Sequence, residues 1–304
     1  MKSARFVTII LTGVVSFIGP APISAQGIGH GQPVDPVRHL KSTTTITTQP
    51  SQPSTSATAG QIGTGSRLQR FGSWLDTAGV SAPGEAWISM SSAYWRSSSM
   101  REVDVPAMGV TVGVTRRTQL GVSLPYYHVT DESGFTSRGF GASYVTTKLA
   151  FGDSSRVNVS ISPTVEILSW SSPEIRRVNF VLPVSLETSA RSTHIYGSTG
   201  YFTRGSVFGS GAVEWPVNPK LTLAATVAHS YSAMSDPISD ALGMARHRTD
   251  GGGSAYYAAA PSVVCFTSIG RTFAPVDQTS GRVAFSAGVT MNVSGIVTRA
   301  PRTP

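Results

Sequence analysis

From Gly84 to Val293 the chain alternates between apolar and small or polar residues with a period of two, and no other feature limits the fold as much. In "RVAFSAGVTMNVSG", Arg282 to Gly295, every second residue is apolar: Val283, Phe285, Ala287, Val289, Met291 and Val293. Those between are mainly small or polar, Arg282, Ser286, Thr290 and Asn292 among them. The same rule separates Val157, Val159, Ile161, Val165 and Ile167 from Asn158, Ser160, Ser162, Thr164 and Glu166. It also separates Leu221, Leu223 and Val227 from Thr222, Ala224 and Thr226, and Val178, Phe180, Leu182, Val184 and Leu186 from Asn179, Ser185 and Glu187. A helix repeats every 3.6 residues and does not hold this pattern, so the segments are strands with two unlike faces.

About twelve such runs follow one another: 84–97, 106–115, 118–129, 140–151, 156–169, 177–189, 194–203, 206–215, 220–231, 253–260, 263–273 and 282–293. Several exceed the five or six residues usual for a strand in water and match the roughly 9 to 11 that a tilted strand needs to cross a bilayer. Their connections alternate in length. Short turns ("TRRT" at Arg116, "GDSS" at Gly152, "SARS" at Ala190, "PVNP" at Pro216) alternate with longer segments ("RSSSMREVD" from Arg96, "TDESGFTSRG" from Thr130, "WSSPEIRR" from Trp170, and the stretch from Ser232 to Gly252). Only "TRGS" at Thr203 is short where a long loop is due. This asymmetry is that of an outer-membrane barrel, with short periplasmic turns and long outer loops.

The expected fold is therefore all-β, an antiparallel transmembrane β-barrel of about 12 strands over 84–295. Its competitor is a secreted sandwich or lipocalin-like barrel with the apolar face inward. Composition favours the membrane barrel: only 13% of residues are charged, against about 25% in soluble domains. The polar face is rich in Gly, Ser, Thr and Ala, which suits a lumen better than a water-facing exterior. One anomaly stands at the C-terminal end. Such barrels commonly finish on a terminal aromatic, yet this chain runs on to Pro304 with none after Phe285. Either the tail hangs free, or the twelfth run is not the closing strand.

Ahead of the barrel, Lys2 and Arg5 precede an uncharged run from Phe6 to Ile18, and "APISA" ends in a small-residue cleavage pattern at Ala25. That is the anatomy of a cleaved signal peptide over 1–25, with an apolar run too short to span a bilayer. Its removal lowers the net charge from +8 to +6. Residues 26–66 form a linker dominated in its second half by Ser, Thr, Gln and Pro, a composition that cannot offset chain entropy by burial. Leu68, Phe71, Trp74 and Leu75 lie at helical spacing, which predicts a short amphipathic helix over Arg67 to Thr77 within a lead-in of 67–83, plugging the barrel or packing on its rim. Residues 296–304 are read as a disordered tail.

The stretch "VTVGVTRRTQLGVSLPYYHVT", Val110 to Thr130, with "GFGASYVTTKLAFGD" after it, resembles the outer-membrane barrel family named for the phenol-degradation meta pathway. Gly113, Thr115 and Arg117 match its "G-x-T-x-R" turn. Leu120, Gly121, Ser123, Leu124, Pro125 and Tyr126 match its "L-G-x-S-L-P-Y" strand, and Lys148 sits where its later strand lysine falls. The likeness covers roughly 40 of 304 residues. It implies a passive channel or facilitator for small solutes, aromatic and hydrophobic ones included. The alternatives are a non-conducting barrel that presents its loops, and an outer-membrane lipid hydrolase.

By strand phase the charged residues expected inside are Lys148, Glu166, Glu187, Glu214, Arg271 and Arg282, either tuning what passes or forming salt bridges that fill a narrow barrel. Trp87, Tyr94, Trp95, Tyr126, Tyr127, Trp170, Trp215 and Tyr231 lie near run ends, where interface aromatics are expected. His128 and His229 share the apolar phase, and His194 starts a run alone. The sequence has no "GxSxG", no "HExxH", no phosphate loop and a single cysteine, Cys265, so no catalytic residue, cofactor or metal is expected. The basic residues are scattered without aromatic interleaving, which argues against nucleic acid. "MARHR" at Met244 is read as a solvated basic loop or a contact to anionic lipid. The implied partners are outer-membrane lipid, the barrel-assembly machinery and a small-molecule solute. The implied location is the bacterial outer membrane, and the oligomeric state is not encoded.

Overall fold

A computed structural model describes residues 75–98, 100–131, 134, 136–151, 157–169, 176–190, 193–234, 245–274 and 280–293, with the short pieces 50–51 and 67–68. The strands are β1 (Ala86–Arg96), β2 (Met100–Thr115), β3 (Thr118–Asp131) and β4 (Thr136–Phe140 continued by Ser143–Phe151). Then come β5 (Val157–Ile161 continued by Thr164–Ile167), β6 (Val178–Ala190), β7 (Thr193–Phe202) and β8 (Ser206–Asn218). β9 (Leu221–Ser232), β10 (His247–Ala260), β11 (Val263–Ala274) and β12 (Val283–Asn292) complete the set. Apart from these, Pro50–Ser51 pairs with Arg67–Leu68.

Each strand pairs antiparallel with the next, and β12 pairs with β1 from Val283↔Arg96 to Asn292↔Trp87. The sheet is a closed barrel of twelve strands, with no unpaired edge. The closing strand is the one that holds Phe285 and Met291, which answers the C-terminal anomaly: closure is made by β12. In β2 the register to β3 breaks between Asp104 and Ala107, around Pro106, whose ring nitrogen carries no hydrogen for the ladder.

The two faces settle which solvent the apolar one meets. In β6, Val178, Phe180, Leu182 and Leu186 are exposed while Asn179, Ser185 and Glu187 are buried. In β1, Ile88 and Met90 are exposed while Ser89 and Ser91 are buried. Leu223 and Val227 of β9, Ile269 and Phe273 of β11, and Phe285 and Met291 of β12 extend the exposed apolar surface around the wall. A sandwich or lipocalin-like barrel has the opposite polarity. A continuous apolar exterior costs nothing only in lipid, so the wall is that of a membrane barrel.

All twelve expected runs are strands, with differences at their starts. β2 begins at Met100 rather than 106 and β10 at His247 rather than 253, so "MREVD" and "HRTDGG" are wall rather than loop. The connection after β7 is the tight turn anticipated at Thr203, with Gly205 at φ 91° and its N–H bonded to the Phe202 carbonyl at 2.8 Å. That left-handed backbone favours glycine. No helix occurs among the described residues. The helix expected over Arg67 to Thr77 falls largely outside them, and its described parts are a short strand at Arg67–Leu68 and irregular chain at 75–77.

Candidate functional site

Both barrel ends of the chain and the shortest turns lie at one end of the barrel, here the turn end; the longer connections lie at the other, the loop end. From the turn end an irregular segment, Leu75 to Ala82, passes along the inside wall and is held there strand by strand. Its last residues are fixed first: the Gly84 N–H donates to the Gly113 carbonyl at 2.8 Å and the Gly113 N–H to Glu85 at 2.9 Å. A side chain at 113 would drive its Cβ into the Ala82 carbonyl oxygen, so the close approach requires glycine. Ser81 then donates both its N–H and its hydroxyl to Gln119 Oε1 of β3, at 3.0 and 3.1 Å.

Lys148 of β4 is the main anchor. Its Nζ lies 2.6 Å from Asp76 Oδ2 and donates to the Thr77 and Gly79 carbonyls at 3.1 and 3.4 Å. On β6, Glu187 Oε2 accepts the Ala78 and Gly79 N–H groups at 2.9 and 3.1 Å. On β7, Ser198 Oγ accepts from the Asp76 N–H at 3.0 Å, and Leu75 packs against Tyr196 and Ala212. The segment thus straps the lumen from β2 to β8. An extended chain has no internal ladder, and here wall side chains supply the partners its backbone would otherwise lack.

Beside the strap, His194 lies between two carboxylates: Nε2 is 3.0 Å from Glu187 Oε1 and Nδ1 is 3.6 Å from Glu214 Oε2. The Tyr196 hydroxyl donates to Glu214 Oε1 at 2.9 Å, and its ring stacks on His194 with centroids 5.2 Å apart. Pairing explains the cluster, because β7 and β8 place His194 directly opposite Glu214.

The loop end has its own polar groups. Glu166 accepts from Tyr144 Oη at 2.8 Å and from Asn179 Nδ2 at 3.0 Å, with the Arg204 guanidinium 3.9 Å away and over the Phe202 ring at 5.3 Å. Asp250 receives Arg248 Nε at 2.9 and 3.0 Å and the Thr272 hydroxyl at 2.6 Å. Glu102 and Asp104 of β2 are buried on the same inner face. Buried charge is costly without partners, and most of these carboxylates sit in dense hydrogen-bond networks.

Four of the six charged residues expected inside, Lys148, Glu166, Glu187 and Glu214, are buried on the inner wall. Arg271 is not. It shares the phase of Ile269 and Phe273, is exposed on the outer face, and lies over the Phe273 ring at 5.7 Å. Arg282 has the inner phase but precedes β12 at its rim and is exposed, its N–H bonded to the Arg96 carbonyl. Among the aromatics, Trp215 and Tyr231 are exposed outward, and Tyr94 and Tyr126 share the outer phase. Trp87, Trp95 and Tyr127 correct the expectation: they are 5%, 1% and 4% exposed and face inward, Trp87 donating to Glu85 Oε1 at 3.0 Å. Trp170 lies outside the described residues. His128, His229 and Cys265 are exposed on the outer face. Sequence reasoning missed Asp76, Glu85, Glu102, Asp104 and Asp250, and left His194 without a role.

With this geometry, the chain has the fold of porin-like outer-membrane β-barrels. It superposes on an outer-membrane channel from Pseudomonas putida F1 with a TM-score of 0.55 at 10% identity, over 70% of this chain and 97% of that one. A NanC porin gives 0.50 at 12% identity, over 67% of this chain and 98% of that one. No family model and no curated protein matches the sequence.

Proposed function

We propose that this protein is a passive channel of the bacterial outer membrane for small solutes, constricted at its turn end by the strap of residues 75–82. The observation that carries the reading is the inner wall. Charged and hydroxyl side chains line it from Glu102 and Asp250 near the loop end to Lys148, Glu187 and Glu214 near the turn end, within an apolar exterior. A barrel that only had to be filled would do so at lower cost with apolar side chains. A continuous polar lining gives a solute hydrogen-bond partners that replace its hydration as it passes. The solved channels of like fold support the same reading.

On this reading residues 1–25 are a cleaved signal peptide, the turn end faces the periplasm, and the assembly machinery inserts the barrel. Lys148, Glu166, Glu187 and Glu214 line the path, while Tyr94, Tyr126, Trp215 and Tyr231 meet the membrane interfaces. The local likeness to the meta-pathway barrels proposes small aromatic solutes as cargo. The protein is not an enzyme on this reading: His194 is flanked by two carboxylates and a tyrosine, an arrangement that holds the imidazole in the wall. The test is conductance of the refolded mature protein in planar bilayers, after confirming heat-modifiable gel mobility. Discrete conductance steps are expected. A barrel that inserts yet neither conducts nor speeds solute entry into liposomes overturns the proposal.

A further inference from the structure

Charge is segregated across the barrel wall. No carboxylate among the described residues is exposed, whereas Arg96, Arg101, Arg138 and Arg271 are exposed in the outward strand phase. Each of these arginines lies within three residues of the loop-end terminus of its strand. An outward guanidinium is tolerated at that level, because its penalty in a barrel wall is small near a membrane interface and large only at mid-depth.

Two of the four are neighbours. Strand register sets Arg96 of β1 directly opposite Arg101 of β2, and Arg101 directly opposite Thr130 of β3. Like charges directly opposite one another on paired strands repel. Between them opens a cavity of about 280 Å³, bordered also by Ser98, Thr130 and Asp131. Asp131 is the carboxylate on this border, and two guanidinium groups against it leave a positive balance. The next row deeper in the outward phase is apolar. Phe285, Tyr94 and Val103 pair across β12, β1 and β2, with Phe285 48% and Val103 36% exposed, and Tyr94 floors the cavity.

A phosphate ester suits the upper row. Each guanidinium presents N–H donors in the fork that phosphate oxygens accept, and an anion between the two converts their repulsion into charge-assisted hydrogen bonds. The lower row decides between a free phosphate and a lipid. Only a lipid uses both, its headgroup phosphate against the arginines and its acyl chains along Tyr94, Val103 and Phe285.

Resting on the reading that the loop end faces outward in an outer membrane, we propose that Arg96 and Arg101 form a binding site for the headgroup phosphate of the phosphorylated glycolipid of the outer leaflet.

The experiment is thermal unfolding of the refolded full-length mature protein in detergent, titrated separately with diphosphoryl lipid A, dephosphorylated lipid A and inorganic phosphate. Wild type, the double variant Arg96→Gln, Arg101→Gln, and the single variant Arg271→Gln are compared. Diphosphoryl lipid A is expected to stabilise the wild type saturably, and the other two additives are not. The double variant is expected to need about thirtyfold more lipid for half-saturation, about fivefold for each arginine that meets an anionic lipid, and Arg271→Gln less than about twofold more. Equal stabilisation by the dephosphorylated lipid shows apolar contact alone, stabilisation by inorganic phosphate at the same concentration shows a free-anion site, and equal losses in the two variants show a diffuse basic belt; each of these overturns the inference. Orientation is read separately. Met234 is 60% exposed beyond the loop end of β9, so Met234→Cys in a Cys265→Ser background should be labelled on intact cells by a membrane-impermeant maleimide. Labelling without phosphate-dependent stabilisation overturns the site while the orientation stands. Absence of labelling overturns the outer-leaflet assignment, and the channel reading answers to conductance in either case.

Discussion

Replacing Lys148 with methionine is expected to loosen the strap while keeping most of the side chain's volume. The ammonium carries three contacts, to Asp76 at 2.6 Å and to the Thr77 and Gly79 carbonyls at 3.1 and 3.4 Å. Breaking a fully buried pair costs about 3–5 kcal/mol, whereas an exposed pair contributes about 0–1. Lys148 is 2% exposed and Asp76 18%, so the pair lies between these limits. Asp76 also regains water once released, which leaves about 2 kcal/mol, roughly a thirtyfold rise in the detached population. Thr77→Cys in a Cys265→Ser background gives a reporter, because Thr77 is buried and its hydroxyl has no partner to lose. Maleimide labelling of that cysteine should accelerate about thirtyfold in the Lys148→Met protein. Ser81→Ala removes one hydroxyl bond and leaves the backbone bond to Gln119, so about 0.5–1.5 kcal/mol and a smaller acceleration are expected. Equal labelling rates in the Lys148→Met and parent proteins would show that the strap is held by something other than this anchor.

Gly113→Ala should displace the strap near Ala82, where its Cβ runs into the carbonyl oxygen, costing about 1–3 kcal/mol as overpacking does; labelling of the same cysteine and a lower urea midpoint measure it. Val227→Arg places a charge on an outward position that is 54% exposed, and should lower folding stability in lipid vesicles by about 2–4 kcal/mol if it lies at mid-bilayer depth, as read from a denaturant titration. A fluorophore on Cys265, which faces outward, should be quenched by brominated lipid in vesicles; quenching only by a water-soluble agent contradicts the assigned polarity of the wall.

The barrel was legible because a two-residue period carries the whole inside–outside assignment, and β1, β5, β6, β9 and β12 obey it residue by residue. Where the reading failed, the phase was set aside. Trp87 and Trp95 share the phase of Ser89 and Ser91, and Arg271 that of Ile269 and Phe273, so the same rule places them correctly. The charges in "MREVD" read as loop because acidic residues are rare in strands, yet Glu102 and Asp104 alternate inward with Val103 and Val105 facing out. His194 needed the register of three strands, which follows from turn lengths and not from any local motif. The strap was legible only as a lead-in of 67–83 that plugs or caps the barrel, and its course and contacts left no signal. Its fold has no period, and its bonds reach wall positions far along the chain, the Asp76 to Ser198 contact spanning 122 residues.

The tight turn from Phe202 to Ser206 closes the loop-end rim between β7 and β8 with no projecting loop. The wall stops there at the level of Phe180 and Ala233, whose N–H groups bond to Thr203 and Gly205 at 2.9 and 2.8 Å. The connections on either side are longer in sequence, residues 168–177 and 233–246. Within this turn Arg204 stands against Glu166. The height of the wall at this turn is therefore fixed by one left-handed glycine and two hydrogen bonds from the neighbouring chain. Lengthening this single turn would wall off the side of the mouth on which the arginine stands.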